Sequence, residues 1–474
     1  MPTASIVGVV PEQQDGHESR AMAEVEEMVP MSKQNGYATA LVVLTAVNIL
    51  NFYDRHVLGA LTEPIRKEFH LTDTQVGLLG SIFTWLYAIV GVPLGKAADT
   101  WSRKKLLTAG IVVWSALTAV AALAVNYMML LVSRLGFAVG EAVVAPTATS
   151  WIGDLFPAAK RARPLALFML GVPVGASLSY FFSGPVAQAF GWRAAMVLAA
   201  APAVLLTPLL MRLPEPERGA ADAHHVPAEQ GSMTALLRIP TLLWIIASGA
   251  LLNFNMYAIA TFLPAFLSRI HKLSLAESGI ATGIAFGVGG IAGAVGSGWL
   301  GDRIIQKRKD GRLLCAAVIS VIGAPMAYGG IIEHNVYGAI ALVALAYGAF
   351  NTYYGLVYSS IQDIVAPTMR ARAMAIYFMA MYLCGASFGP LLTGKLSDVM
   401  ARRAAEAAGS PILTEAFKAT GLQQAMLIMP VLSVLLAVVL FCGSRTITKD
   451  MERREAAANL NGQGLIGVNG PIGS

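Results

Sequence analysis

Apolar residues along this chain fall into twelve long runs separated by short stretches rich in Arg, Lys, Gly and Pro. Each run has about the 20 residues that a helix needs to cross the hydrocarbon of a bilayer. The pattern predicts spans at 38–60, 75–98, 106–125, 127–150, 164–187 and 193–211 in the first half. In the second half it predicts 241–267, 276–300, 313–332, 337–362, 372–395 and 425–443. The expected fold is an all-α membrane protein, with twelve transmembrane helices in two six-helix bundles at 38–212 and 239–445. Residues 1–37 are polar and acidic and lack the basic start and short apolar core of a secretory signal, so they read as a disordered cytoplasmic tail. Residues 213–238 read as the linker between the bundles and 446–474 as a second cytoplasmic tail.

The halves repeat, as a duplicated six-helix unit would. Leu50-Asn51-Phe52 returns as Leu252-Asn253-Phe254, and at the same offset Gly77 falls on Gly279. Gly95-x-x-x-Asp99 returns as Gly298-x-x-x-Asp302. Asp154 with Arg161 and Arg163 returns as Asp363 with Arg370 and Arg372, seven and nine residues apart in both copies. Parallel repeats of this kind put a ligand site between the halves near the midplane.

Four charges inside the spans are unmatched: Asp54, Arg55, Arg134 and Glu141 align with Met256, Tyr257, Val343 and Phe350. A charge at mid-span costs at least about 2.5–3.5 kcal/mol, so such residues face a partner or a water-filled path. Asp54 lies about six residues from the outer end of the first span and Arg134 about seven from that of the fourth, so their depths agree and an ion pair is expected. Glu141 is two turns beyond Arg134, on the same face and ~10 Å deeper. Burial and a nearby Arg act in opposite senses on a carboxylate, which can bring its titration within reach of a proton gradient. Asp54 and Glu141 are therefore the candidate proton carriers and Arg134 their tuning partner; a static structural pair is the alternative. Arg55 has a planar fork suited to phosphate or carboxylate and is the candidate head-group anchor, an internal pair with Glu141 being the alternative.

The expected substrate wall joins Arg55 and Asn51 to Asn253, Tyr257, Phe350, Asn351 and Tyr354 of the second half, an amphipathic surface for a molecule with one polar and one greasy end. The glycines from Gly287 to Gly298 lie inside a span, where small residues let helices approach closely, and do not form a dinucleotide loop. Gly171, Pro173 and Gly175 mark a bend in the fifth span.

Composition agrees with a membrane protein: 56% of residues are hydrophobic and mean hydropathy is +0.61. Only 13% are charged, against about 25% in soluble domains. Lys and Arg concentrate in alternate loops, at Arg103 to Lys105, Lys160 to Arg163, Arg303 to Arg312 and Arg370 with Arg372, which puts both termini in the cytoplasm. Arg66 with Lys67, and Arg402 with Arg403, are the exceptions. The net charge of +6 follows from this bias and implies no nucleic-acid partner. Cys315, Cys384 and Cys442 are scattered, and His224 with His225 lacks companion ligands, so neither metal nor cofactor is expected. No Walker loop is present, so a gradient is the expected energy source, and no enzyme is expected.

The motifs resemble the major facilitator superfamily. Gly95-x-x-x-Asp99-x-x-x-Arg103-Lys104 is similar to its signature loop, with Ser102 where that pattern has Gly, and Gly298-x-x-x-Asp302-Arg303 to the second copy. By resemblance these residues form a cytoplasmic gate. The stretch from Arg134 to Trp192, with Gly140-Glu141-Ala142, Ala145-Pro146-Thr147, Asp154-Leu155-Phe156 and Val172-Pro173-Val174-Gly175, resembles the spinster family of lipid transporters, as does Asn51-Phe52-Tyr53-Asp54-Arg55. The resemblance implies proton-driven movement of a sphingosine phosphate, lysophospholipid or similar amphiphile by alternating access, with Asp54, Arg55 and Glu141 coupling or binding. The runner-up is the same fold moving a small organic anion. The expected setting is the inner or plasma membrane, the expected partners are substrate, protons and bilayer, and the expected state is a monomer.

Overall fold

The computed structural model describes residues 31–466 apart from 158–159, 219, 222–232 and 367–368. Among these residues the regular structure is helical throughout, and twelve helices are long and apolar enough to span a membrane. They are α1 (Gly36–Ala60), α2 (Asp73–Ala98), α3 (Arg103–Ala122), α4 (Tyr127–Leu155), α5 (Arg163–Phe190), α6 (Trp192–Arg212), α7 (Pro240–Ile270), α8 (Leu275–Ile305), α9 (Gly311–Ile332), α10 (Val336–Ile364), α11 (Arg372–Ala407) and α12 (Glu415–Ala456). Large apolar side chains left exposed, such as Val132, Phe190, Val204 and Val431, lie on these helices, where a bilayer would cover them.

The duplication is visible in how the helices start. Thr72 with Gln75 closes a capping box at the head of α2, and Ser274 with Glu277 closes one at the head of α8. Asn126 and Asn335 cap the equivalent helices α4 and α10. Ser102 accepts from the Lys105 N–H with φ −58° and caps α3, so this loop has no need of a left-handed glycine.

Helix ends depart from the apolar pattern where polar residues still favour helix. The last helix continues to Ile466, so the segment from 446 onward, expected as a tail, is helical as far as it is described. Glu, Arg and Ala at 452–457 are good helix formers, and Arg454 docks this extension by donating to the Asp363 carbonyl at 2.7 Å. The first helix likewise begins at Met31, within the predicted 1–37 tail. Most of that tail, and His224 with His225, fall outside the described residues.

The two bundles meet along α2 with α11 and α5 with α8, interfaces related by the duplication. Gly77 packs on the Pro390 backbone, Ser81 Oγ accepts from the Leu391 N–H at 3.2 Å, and Tyr87 meets Tyr382 with ring centroids 5.2 Å apart. On the other side Gly279 packs on Gly184 and Tyr180, Gly283 on Ser177 and Phe181, and Gly290 on Pro173. A side chain at the closest of these positions would collide with backbone, which is why the interfaces are glycine-rich. Contact runs from the face carrying the α1–α2 loop to mid-depth and then ends. Gly91, Gly95, Gly296 and Gly298, nearer the face carrying the termini, have open space around them. Below, these are the far face and the terminal face.

Both α5 and α11 are interrupted at mid-depth. In α5 the regular helix breaks at Leu170, since Pro173 has no N–H for the Met169 carbonyl; the expected bend lies here. In α11 a π-helical turn at Met381–Ala386 does the equivalent, with Ser387 donating its N–H and its hydroxyl to the Tyr382 carbonyl at 3.0 and 2.5 Å.

Candidate substrate and coupling site

The four unmatched charges gather between α1, α3 and α4, all nearly excluded from solvent. Arg55 pairs with Glu141: Nη2 and Nε lie 2.9 and 3.0 Å from Oε2. The internal pair weighed as an alternative for Arg55 is thus what this conformation holds. Its guanidinium also lies over Phe52, Phe83 and Tyr87 at 4.7, 5.1 and 4.6 Å, aromatic faces that favour a desolvated cation.

The expected ion pair between Asp54 and Arg134 does not form. Asp54 is held by Trp114 of α3, whose Nε1 donates to Oδ2 at 3.0 Å, while Oδ1 has no partner. Arg134 lies between Phe83 and Phe137 and donates to the Arg55 carbonyl at 3.4 Å. Matching depth brought the two residues near each other, but the indole and the aromatic slot claimed each side chain first. Trp114 is the residue that sequence reasoning missed; an indole N–H at mid-span, which must find an acceptor, was the available signal. Asn51 is buried beside this group with its Nδ2 unpartnered.

The second-half wall is only partly assembled. Tyr257 shares a cavity of about 50 Å³ with Arg55, Arg134, His56, Thr62 and Thr261, its remaining lining mostly apolar. Asn253 donates to the Gly249 carbonyl at 2.9 Å and to Met381 Sδ at 3.4 Å, and accepts from the Tyr354 hydroxyl at 3.1 Å. Tyr354 belongs to an aromatic row with Tyr353 and Tyr358. Phe350 packs on Gly323 of α9, and Asn351 bonds to the Tyr347 carbonyl beside Gly293 of α8. Those last two serve packing within the second bundle and stand apart from the cavity. Tyr382, which no sequence signal singled out, closes on Tyr257 and Tyr87 around Arg55.

A buried ionic network crosses between the bundles at the far face. Arg269 of α7 donates to both oxygens of Asp73 of α2 at 2.8 Å each, and its Nε to Glu63 at 2.7 Å. Ser397 of α11 adds a bond to Asp73 at 2.7 Å, and Asp398 accepts from the Asp73 and Thr74 N–H groups at 3.1 and 2.9 Å, capping α2 from the opposite bundle. Arg66 joins Glu63 to Glu415. The Arg66 that ran against the charge bias is a member of this lock.

The terminal face has no such lock among the described residues. Arg103 pairs with Asp154 and donates to the Pro216 carbonyl, and Arg312 pairs with Asp363 in the equivalent place. Lys104 reaches the Met211 carbonyl, Arg303 stacks on Trp299, and Gly95 is open. The described gate side chains therefore bond within their own half and linker; the side chains of Asp99 and Asp302 lie outside the described residues. Glu215 straps the linker to the head of α3, accepting from Ser102 Oγ and the Arg103 N–H at 2.6 Å each. Partial burial works against its charge, but these bonds outweigh it and hold its carboxyl below the usual range.

Two pseudo-symmetric six-helix bundles, locked at one face and parted at the other around a buried charged centre, have the architecture of a two-bundle membrane transporter. A family model for the Major Facilitator Superfamily matches residues 44–390, and the chain belongs to that superfamily. Among curated proteins it is 29% identical to an MFS-type efflux pump of Mycolicibacterium smegmatis, over 76% of this chain and 84% of the pump. It is 28% identical to Protein spinster homolog 3 of Danio rerio, over 78% and 79%, and 27% identical to the hexuronate transporter of Bacillus subtilis, over 76% and 87%. Among solved structures it superposes with TM-score 0.79 and 26% identity, over 88% of this chain and 98% of the other, on a bacterial homologue of the human lysosomal transporter Spinster in an inward-facing, unoccupied conformation. The chain is a spinster-type transporter, an integral membrane protein and not an enzyme.

Proposed function

We propose that this protein moves an amphipathic anion, of the lysophospholipid or sphingosine-phosphate kind, by alternating access coupled to protons at Asp54 and Glu141. The observation that carries the reading is the placement of the charges. Two buried carboxylates and two buried guanidiniums sit at or beside a cavity whose remaining lining is mostly apolar, Leu58, Ile65, Val76 and Leu79 among it. The cations suit a polar end and the apolar lining a hydrocarbon end in character, and at about 50 Å³ the cavity as it stands holds only a fragment of such a molecule. Protonating Glu141 removes the charge that holds Arg55, freeing its fork for an anion; protonating Asp54 alters the one carboxylate bound to α3 through Trp114. Proton and cargo thus act on the same few side chains, which is what coupling requires.

The far-face lock and the parted terminal face support a state open towards the termini. With the basic loops and both termini in the cytoplasm, that state is inward-facing. The similarity to the hexuronate transporter favours a second reading, a small hydroxylated organic acid as cargo. Flux into proteoliposomes under an imposed pH step, with a lysophospholipid and a short sugar acid compared, tests both. Uptake of the lysolipid alone supports the first reading, and uptake of the sugar acid alone replaces it with the second.

A further inference from the structure

Arg134 is only 5% exposed, yet no carboxylate among the described residues lies within ion-pair distance of it. Its Nε has no partner, and neither has Nη1 of the neighbouring Arg55. A buried cation without a counter-charge is costly, and aromatic contact with Phe83 and Phe137 offsets only part of that cost. Beside it stands His56, whose Nδ1 lies 2.8 Å from the Phe52 carbonyl. A carbonyl can only accept, so Nδ1 carries the proton and Nε2 of the neutral ring keeps its lone pair. The imidazole is fixed edge-on between Tyr180 of α5 and Phe286 of α8, with centroids 5.8 and 6.1 Å away. Arg55, His56 and Arg134 line the same cavity. Arg134 precedes Glu141 by seven residues on α4, so its backbone lies ~10 Å nearer the locked far face than that of Glu141.

We propose that Arg134 and His56, with the free Nη1 of Arg55, form an oxyanion subsite at the closed end of the cavity, specific for an oxyanion with a neighbouring hydroxyl. Two guanidinium edges donate to the anion, and the hydroxyl donates to His56 Nε2. The subsite rests on the transport reading given above and refines it: the cargo's charge is met by Arg134, while Arg55 is shared with the protonatable Glu141. A phosphate monoester on a glycerol backbone and a sugar carboxylate both present this chemistry. An alkyl phosphate lacks the hydroxyl, and a monoacylglycerol lacks the anion.

Binding of oleoyl lysophosphatidate, oleyl phosphate, monooleoylglycerol and gluconate to purified protein in nanodiscs, followed by tryptophan fluorescence, tests the assignment. Arg134→Gln is expected to weaken whichever anion binds the native protein by about tenfold or more and to leave monooleoylglycerol within about twofold. His56→Phe is expected to remove the preference for lysophosphatidate over oleyl phosphate. Loss confined to the lysophosphatidate names a phospholipid source, and loss confined to gluconate a sugar-acid source. Arg134→Lys, which keeps the charge and loses the fork, is expected to fall between native and Gln, and serves if the Gln variant does not fold. Native binding of an anion that Arg134→Gln, or Arg134→Lys in its place, leaves unchanged would overturn the subsite. Failure of the native protein to bind any of the anions would instead overturn the transport reading beneath it.

Discussion

Replacing Arg269 by Ala should release the far face. The side chain makes two bonds to Asp73 and one to Glu63 across the bundle interface, and all three residues are buried. Removing one member of such a buried group costs about 3–5 kcal/mol, because the partners keep their charge without compensation. In the variant Asp73 retains the Ser397 hydroxyl, and Glu63 retains Arg66. The bonds of Arg269 exist only while α7 is packed against α2 and the α1–α2 loop, so the loss falls on the far-closed state. At about 1.4 kcal/mol per power of ten, the balance between states moves by roughly two to three and a half powers of ten towards far-face opening. Spin labels at Lys67 and Ala416, exposed on opposite bundles at the far face, and at Lys96 and Gln306 on the terminal face report both gates at once. The labels go into a background in which Cys315, Cys384 and Cys442 are replaced. The expected result is a longer far-face distance and a shorter terminal-face distance in the variant. Identical distance distributions in native and variant protein would refute the assignment of a lock.

Other substitutions probe separate parts of the account. Gly279→Val should push α8 from α5, because a Cβ there would meet Gly184 Cα at 3.1 Å; overpacking of this kind costs about 1–3 kcal/mol, whereas Gly296→Ala enters open space and should leave thermal unfolding unchanged. Equal melting behaviour of the two would contradict the interface. The Glu215 strap gives a pH dependence: with its folded-state pKa below the usual value of 4.5, the carboxylate's contribution is complete above about pH 4.5 and is lost as pH falls through the lowered value. Hydrogen exchange at 213–218 should therefore rise in acid, and Glu215→Gln should show the raised exchange already at neutral pH; exchange that ignores both changes would dismiss the strap.

The fold was legible because two periodicities were unambiguous. Runs of bilayer length gave twelve spans, and the return of Leu-Asn-Phe and of Asp154 as Asp363 gave the two halves. Helix ends were less so, since hydropathy marks where a helix meets lipid while Ala, Glu and Arg carry it further, as at 446–466. In the site, the four unmatched charges, Asp54, Arg55, Arg134 and Glu141, do converge on one buried centre. Their pairing was not legible. Depth along a helix follows from residue count, but the choice between Asp54 and an aromatic slot for Arg134 depends on Phe83, which lies on another helix. The far-face lock escaped notice for a related reason: Asp73 and Arg269 sit at span ends, where charges are ordinary, and only the meeting of α2 with α7 makes them a buried pair.

Proton coupling at Asp54 and Glu141 is the central claim, and flux driven by a pH step in proteoliposomes, measured beside exchange at equal pH, tests it most directly. Asp54→Asn and Glu141→Gln should each abolish pH-driven accumulation of the labelled anion, while Asp54→Asn, whose residue does not touch the cargo, still exchanges it across the membrane. Undiminished accumulation in the double variant would contradict the account.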